Sequence, residues 1–170
     1  DEEDDAEEVE EDVPGDTRGG ARKIKKGREE ELYAPLVQAL KSKWAPGQRL
    51  EQCIVENCAH VKNSKGMWRN PDLLMAARRP YQLIVTQYLI EIWTFEVKLP
   101  GWNMNAIYEA EANGHGSTHT CALLQVDKKE TNKYLAQCEE KASQLKIGLI
   151  TFVEPLDVGT WNMRVRPKRR

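Results

Sequence analysis

Ile92-Trp93-Thr94-Phe95-Glu96-Val97-Lys98-Leu99 reads as a β-strand closed by Pro100-Gly101. Its β-branched and aromatic residues favour a pleated, packed surface. Side chains two residues apart share a face of a strand. Glu96 and Lys98 therefore project together, and Val97 enters the opposite core. An E-x-K pair on a strand is most often a solvated face. This one stands between apolar segments, which predicts a central strand, where an acid and a base are less expected. Upstream, Asn70-Pro71-Asp72-Leu73-Leu74 opens a short apolar strand over 72–77, closed by Pro80. Asp72 at its start is expected to meet Glu96 across the ladder. Two converging carboxylates suit Mg²⁺, a hard ion that prefers oxygen ligands and keeps several waters. A neighbouring lysine can orient or deprotonate such a water and can stabilise charge on a phosphate. The pattern suits hydrolysis of a phosphodiester.

The remaining elements follow from periodicity. Leu32, Leu36 and Leu40 recur every four residues and predict a helix over 29–44, with Pro35 in its first turns and Pro46-Gly47 after it. Residues 50–61 read as strand and turn, and 63–66 as a loop. Residues 81–99 are long for one strand, so a short helix or turn is expected before the strand 92–99. After Pro100-Gly101, helix and strand alternate: helix 103–113, strand 120–126, helix 130–146, strand 147–153. Tyr108 and Glu111 lie three apart on the first of these helices, so Glu111 is expected to accept a bond from Lys98 or from a metal water. The order is α-β-β-β-α-β-α-β. It predicts an α/β domain with a mixed sheet flanked by helices.

The chain has 170 residues, a length for about one domain. No apolar run approaches the roughly 20 residues of a membrane span. The acidic opening is no signal peptide. Ten of the 27 acids stand in residues 1–12, which leaves 17 against 25 basic residues, a net +8 for residues 13–170. Residues 1–28 read as a linker, acidic and then basic, with Arg18, Arg22, Lys23, Lys25, Lys26 and Arg28 in its second half. The acid block is either a solvating tail or a mimic of nucleic acid that screens a basic face. A chain that opens without Met reads as part of something longer. Residues 29–163 form the expected domain, and 164–170 a basic tail, either solvated or flanking a basic groove.

The segments 70–74 and 93–99, in this order and spacing, resemble the PD-(D/E)XK nuclease superfamily, whose restriction-endonuclease-like core is αβββαβ. Glu30-Glu31-Leu32-Tyr33-Ala34-Pro35-Leu36 is similar to the first core helix of a bacterial branch often joined to a winged-helix or other DNA-binding segment. The resemblance spans residues 29–153. It implies that Asp72 and Glu96 are the metal ligands, that Lys98 is catalytic, and that an acid on the first helix, Glu30 or its neighbour Glu31, completes the site. Where the family often has Gln on the following helix, Glu111 stands here.

The four cysteines and three histidines give loosely ligand-like spacings, Cys53-x4-Cys58-x-His60 and His115-x3-His119-x-Cys121. No C-x-x-C occurs, so buried reduced thiols in a cytoplasmic protein are the better account than zinc. Candidate DNA contacts are Lys65 and Arg69, His115 and Ser117 in the Gly-containing loop 113–119, and Arg164 and Arg166 in the tail. The expected function is a metal-dependent deoxyribonuclease using Mg²⁺, with Mn²⁺ able to substitute, acting in DNA restriction, defence or repair. Its partners would be DNA and an additional domain or subunit, with a homodimer left open and no membrane. The rivals are a catalytically silent DNA-binding or assembly module of the same fold, and a protein-interaction domain for which the acidic tail is the ligand.

Overall fold

The computed structural model describes residues 29–61, 70–82, 84–129 and 132–170. Six strands form one mixed sheet in the order β1-β2-β3-β4-β5-β6. They are β1 (Glu51–Asn57), β2 (Leu73–Gln82), β3 (Thr86–Lys98), β4 (His119–Gln125), β5 (Gly148–Phe152) and β6 (Asn162–Val165). Strands β1, β2 and β3 pair antiparallel, β3, β4 and β5 parallel, and β5 with β6 antiparallel. The expected α/β class holds, and the element order contains αβββαβ. Among the described residues no helix is long and apolar enough to cross a membrane.

Helix α1 (Glu30–Ala39) runs into a π-helical stretch, Leu40–Trp44, and a short α2 (Ala45–Gly47). The four-residue repeat does its expected work: Leu32, Leu36 and Leu40 are buried against one face of the sheet. Pro35 is the sixth residue of α1, past the first turn, so Glu31 loses the N–H that would have bonded its carbonyl. Trp44 meets Trp93 and Phe95 edge-on, with ring centroids 5.2 and 5.8 Å away. On the other face, α3 (Asn105–Asn113) and α4 (Leu135–Leu145) enclose a second core with Ala106, Ile107, Ala110, Cys138 and Ala142.

Strand β4 is apolar on both faces: Cys121 and Leu123 enter the first core, Ala122 and Leu124 the second. That is the composition a central parallel strand needs. Gly148 opens β5 where a Cβ would collide with Cys121 Sγ and sit 2.9 Å from Pro167 Cδ.

Three expectations are corrected. Residues 86–98 are one continuous strand, with no helix or turn at 92. β4 begins opposite Trp93, so the preceding part of β3 runs beyond the parallel strands, and Ile84, Val85, Tyr88 and Ile90 are exposed. Strand β2 continues through Pro80, because its pairing with β1 ends at Arg78 and no partner needs the missing N–H. The segment 164–170 is no solvated tail: Arg164 belongs to β6, Lys168 N bonds Lys146 O, and Arg170 N bonds Thr118 O at 3.0 Å.

Candidate active site

The alternation along β3 sorts its side chains as a strand must. Trp93, Phe95 and Val97 are buried in the first core. Thr94, Glu96 and Lys98 face α3. Leu73 pairs with Phe95, and continuing that register one step sets Asp72 opposite Glu96.

Asp72 is pinned by its backbone and by both carboxylate oxygens. Its carbonyl accepts from Cys58 N at 2.8 Å. Oδ2 accepts from Val97 N at 2.7 Å, at the place where the β2–β3 ladder stops. Oδ1 accepts from the buried Tyr33 hydroxyl at 3.1 Å. Helix α1 thus reaches the site through Tyr33.

Glu96 is only 5% exposed. Oε1 accepts from Lys98 Nζ at 2.7 Å, and Oε2 from Asn113 Nδ2 at 2.8 Å. Burial and the charge of Asp72 push the Glu96 carboxyl up to about 7, against the pull of Lys98 and Asn113. Burial also raises Asp72, against the Val97 bond, Lys98 and the Tyr33 hydroxyl.

Lys98 Nζ lies 2.9 Å from Glu109 Oε2 and 3.8 Å from Glu29 Oε1, besides its bond to Glu96. Burial works against its charge. The bonds to Glu96 and Glu109 and the charge of Glu29 outweigh it and hold the ammonium above the usual lysine range. Lys98 is a fixed cation.

The sequence-predicted residues divide accordingly. Asp72, Glu96 and Lys98 come together. Glu111 pairs with Arg170 instead of Lys98, and Glu109 takes the place expected for it. Glu30 is exposed beside Glu29, Tyr33, His60 and Asp72 on a cavity of about 440 Å³, and the first-helix acid that approaches Lys98 is Glu29. Ser117 is buried, its hydroxyl donating to Gly114 O at 2.7 Å and lying 3.0 Å from Thr120 Oγ1. His115 is exposed and lines a second cavity with Ser117. Arg164 Nε donates to Thr151 Oγ1 on β5, and Arg166 is exposed past the end of β6. Strands β4 and β5 separate β6 from the carboxylates. Lys65 and Arg69 lie outside the described residues.

Tyr33, Glu29, Glu109 and Asn113 escaped the sequence reading as site residues. Asn113 and Glu109 stand four apart on α3 and share a stripe. Asn113 also continues the buried stripe of Ala106 and Ala110, a polar side chain among alanines. That misplaced polarity was the available signal.

The donor set suits a hard divalent ion: two facing carboxylates whose mutual repulsion a cation would relieve. Among the described residues no group of three or more His, Cys, Asp or Glu side chains is arranged to hold a metal ion. The remaining positions around such an ion would fall to water and substrate. The four cysteines are free thiols, Cys121 and Cys138 buried and Cys53 and Cys58 half-buried.

No protein-family model, no curated protein and no solved structure matches this chain.

Proposed function

We propose that the chain is a metal-dependent deoxyribonuclease domain, with Mg²⁺ held by Asp72 and Glu96 and Mn²⁺ able to substitute. The observation that carries this reading is Glu96 facing Asp72 with Lys98 bonded to it, all three half-buried or buried at the end of the β2–β3 ladder. When bound, the ion supplies Lewis acidity toward the phosphate and a lowered pKa for its water.

The chain's own groups do the rest. Asp72 is oriented before any ligand arrives, because Val97 N–H and the Tyr33 hydroxyl fix both oxygens. Asn113 and Lys98 do the same for Glu96. Glu96, Glu109 and Glu29 favour the charged form of Lys98, which suits it to position the attacking water and stabilise charge on the phosphate. Glu109 and Glu29 hold its ammonium in place.

The test is digestion of plasmid and linear DNA with Mg²⁺, with Mn²⁺ and with EDTA, beside Lys98→Ala. Cleavage that needs the metal and Lys98 is the expected result. DNA retained in gel shifts with no cleavage under any metal would overturn the enzyme reading. The silent-module alternative would then take its place, a reading favoured by the number of acids already satisfying Lys98.

A further inference from the structure

Two cavities flank the carboxylate pair, and their chemistry differs. One, of about 440 Å³, is bounded by Glu29, Glu30, Tyr33, His60 and Asp72. Its acids repel a polyanion. The other, of about 260 Å³, lies between the β2–β3 hairpin and the α3–β4 loop.

Pro71, the neighbour of Asp72, forms one end of this second cavity, and Asn113, the partner of Glu96, another. Leu74 and Ile92, from adjacent strands, supply apolar wall on a stretch of sheet where both stay half-buried. Thr94, the cross-strand partner of Leu74, and Ser117 of the α3–β4 loop bring hydroxyls to its edge. Beside the loop lie Arg170, whose N–H bonds Thr118 O and whose guanidinium pairs with Glu111, and Arg169, which acts electrostatically on His119. An apolar slot with a polar edge, next to the carboxylate pair, suits a planar aromatic ring attached to a phosphate. At about 260 Å³ it is below the ~300 Å³ where pockets for drug-sized ligands begin, so it takes one ring system and excludes a base pair.

We propose that this cavity receives one unpaired nucleobase adjacent to the phosphate that a divalent ion at Asp72 and Glu96 would hold, which makes single-stranded DNA or a frayed end the substrate. The inference rests on the nuclease reading and narrows it. A base inside a duplex would first have to be unpaired and unstacked.

Cys58 lines the cavity, whereas Cys53 packs against the opposite core, so the two thiols report on the site and on its surroundings. The experiment follows alkylation of both by mass spectrometry in the full chain. Thymidine 5′-monophosphate and deoxyadenosine 5′-monophosphate are compared with 2-deoxyribose 5-phosphate, which lacks the base. A nucleotide at ten times its dissociation constant should slow Cys58 alkylation about tenfold and leave Cys53 unchanged, while the sugar phosphate protects neither. Leu74→Trp and, as a smaller change, Ile92→Phe fill the cavity and should remove both the protection and the cleavage of single-stranded DNA, with the unfolding transition retained. Equal protection by the sugar phosphate, or no protection by any nucleotide, overturns the proposal. So does undiminished single-strand cleavage by the filled, folded variants. Protection of Cys58 by nucleotides in a chain that cleaves no DNA keeps the base pocket and overturns the nuclease reading instead.

Discussion

Asn113 Nδ2 donates to Glu96 Oε2 at 2.8 Å, which joins the last residue of α3 to the acid on the central strand. The bond favours the ionised carboxylate, yet burial and Asp72 still raise Glu96 to about 7. The two effects meet on one side chain. The molecule spends stability on keeping a charge where a cation would be useful.

The pH dependence of stability follows from that side chain. Its carboxyl is raised from an ordinary value of 4.5 to about 7, so the folded state holds the proton more tightly than the unfolded state. The contribution is fully present below 4.5 and is lost as pH rises through about 7. Asp72 shifts the same way and adds to it. In EDTA, melting temperatures should fall across this window. Glu96→Gln should flatten the decline and be more stable than wild type above it, by at most about 3 kcal/mol. Mg²⁺ binding should release a proton and strengthen about tenfold per pH unit below the Glu96 value. A flat profile for wild type would mean that Glu96 titrates as an ordinary carboxyl.

Asp72→Ala and Asp72→Asn should separate charge from hydrogen bonding. Repulsion between two facing acids suggests that losing either would relieve strain. The structure reverses this for Asp72→Ala, because Val97 N–H and the Tyr33 hydroxyl would both lose their acceptor. That variant should be destabilised by about 1–3 kcal/mol. Asp72→Asn keeps an acceptor oxygen and should lose less, while both lose cleavage. Tyr33→Phe leaves the carboxylate in place and should cost about 1 kcal/mol. Urea denaturation of the three variants gives the order directly.

The strand face was legible because a period of two leaves no choice: once residues 92–99 are a strand, Glu96 and Lys98 share a side. Asp72 was legible because Pro71 and the apolar run after it fix where β2 begins. The helical partners were not. Each residue turns a helix by about 100°, so Glu109 and Glu111 face different ways, and which of them meets Lys98 depends on the angle at which α3 packs. Sequence spacing does not contain that angle. Glu29 and Glu30 pose the same problem at the start of α1. The continuity of β3 was not legible for a different reason: residues 81–99 are long for one strand, yet the hairpin carrying Ile84, Val85, Tyr88 and Ile90 runs on past the point where the parallel strands stop.

Arg79→Ala should destabilise the fold without touching the carboxylate pair. Glu91 is 3% exposed and accepts from Arg79 Nε and Nη2, and from Trp93 Nε1 at 2.9 Å. Arg79 also donates to Gln48 O at 3.0 Å, which ties the hairpin to the turn after α2. Removing one partner of a buried pair strands the other charge. Because the Arg79 side chain is one-third exposed, solvent screening reduces the loss to about 2 kcal/mol. Arg79→Ala with Glu91→Gln should recover part of it in a double-mutant cycle. Additive losses would show that the pair does not couple.

Lys98→Ala should lose turnover while Mg²⁺ still binds. Lys98 cannot be a ligand to a cation, since its ammonium is held charged by Glu96, Glu109 and Glu29. What it offers is a fixed positive charge bonded to Glu96, beside the carboxylate pair. Groups in such roles are worth about 10²–10⁴-fold in rate. Removing the ammonium also leaves Glu96, Glu109 and Glu29 without their shared cation, so a divalent ion should bind at least as tightly as before. The Glu96 carboxyl, deprived of one of the two donors that favour its ionised form, should rise further, and the pH at which Mg²⁺ binds should rise with it. Calorimetric Mg²⁺ titration at several pH values, paired with single-turnover cleavage, separates these effects. Lost metal binding at every pH would mean that Lys98 holds the site together, and unchanged turnover would remove it from the chemistry. Lys98→Arg is the discriminating companion: it restores the charge but not the geometry of the short bond to Glu96, so metal binding should return to the wild-type pH dependence while turnover stays low.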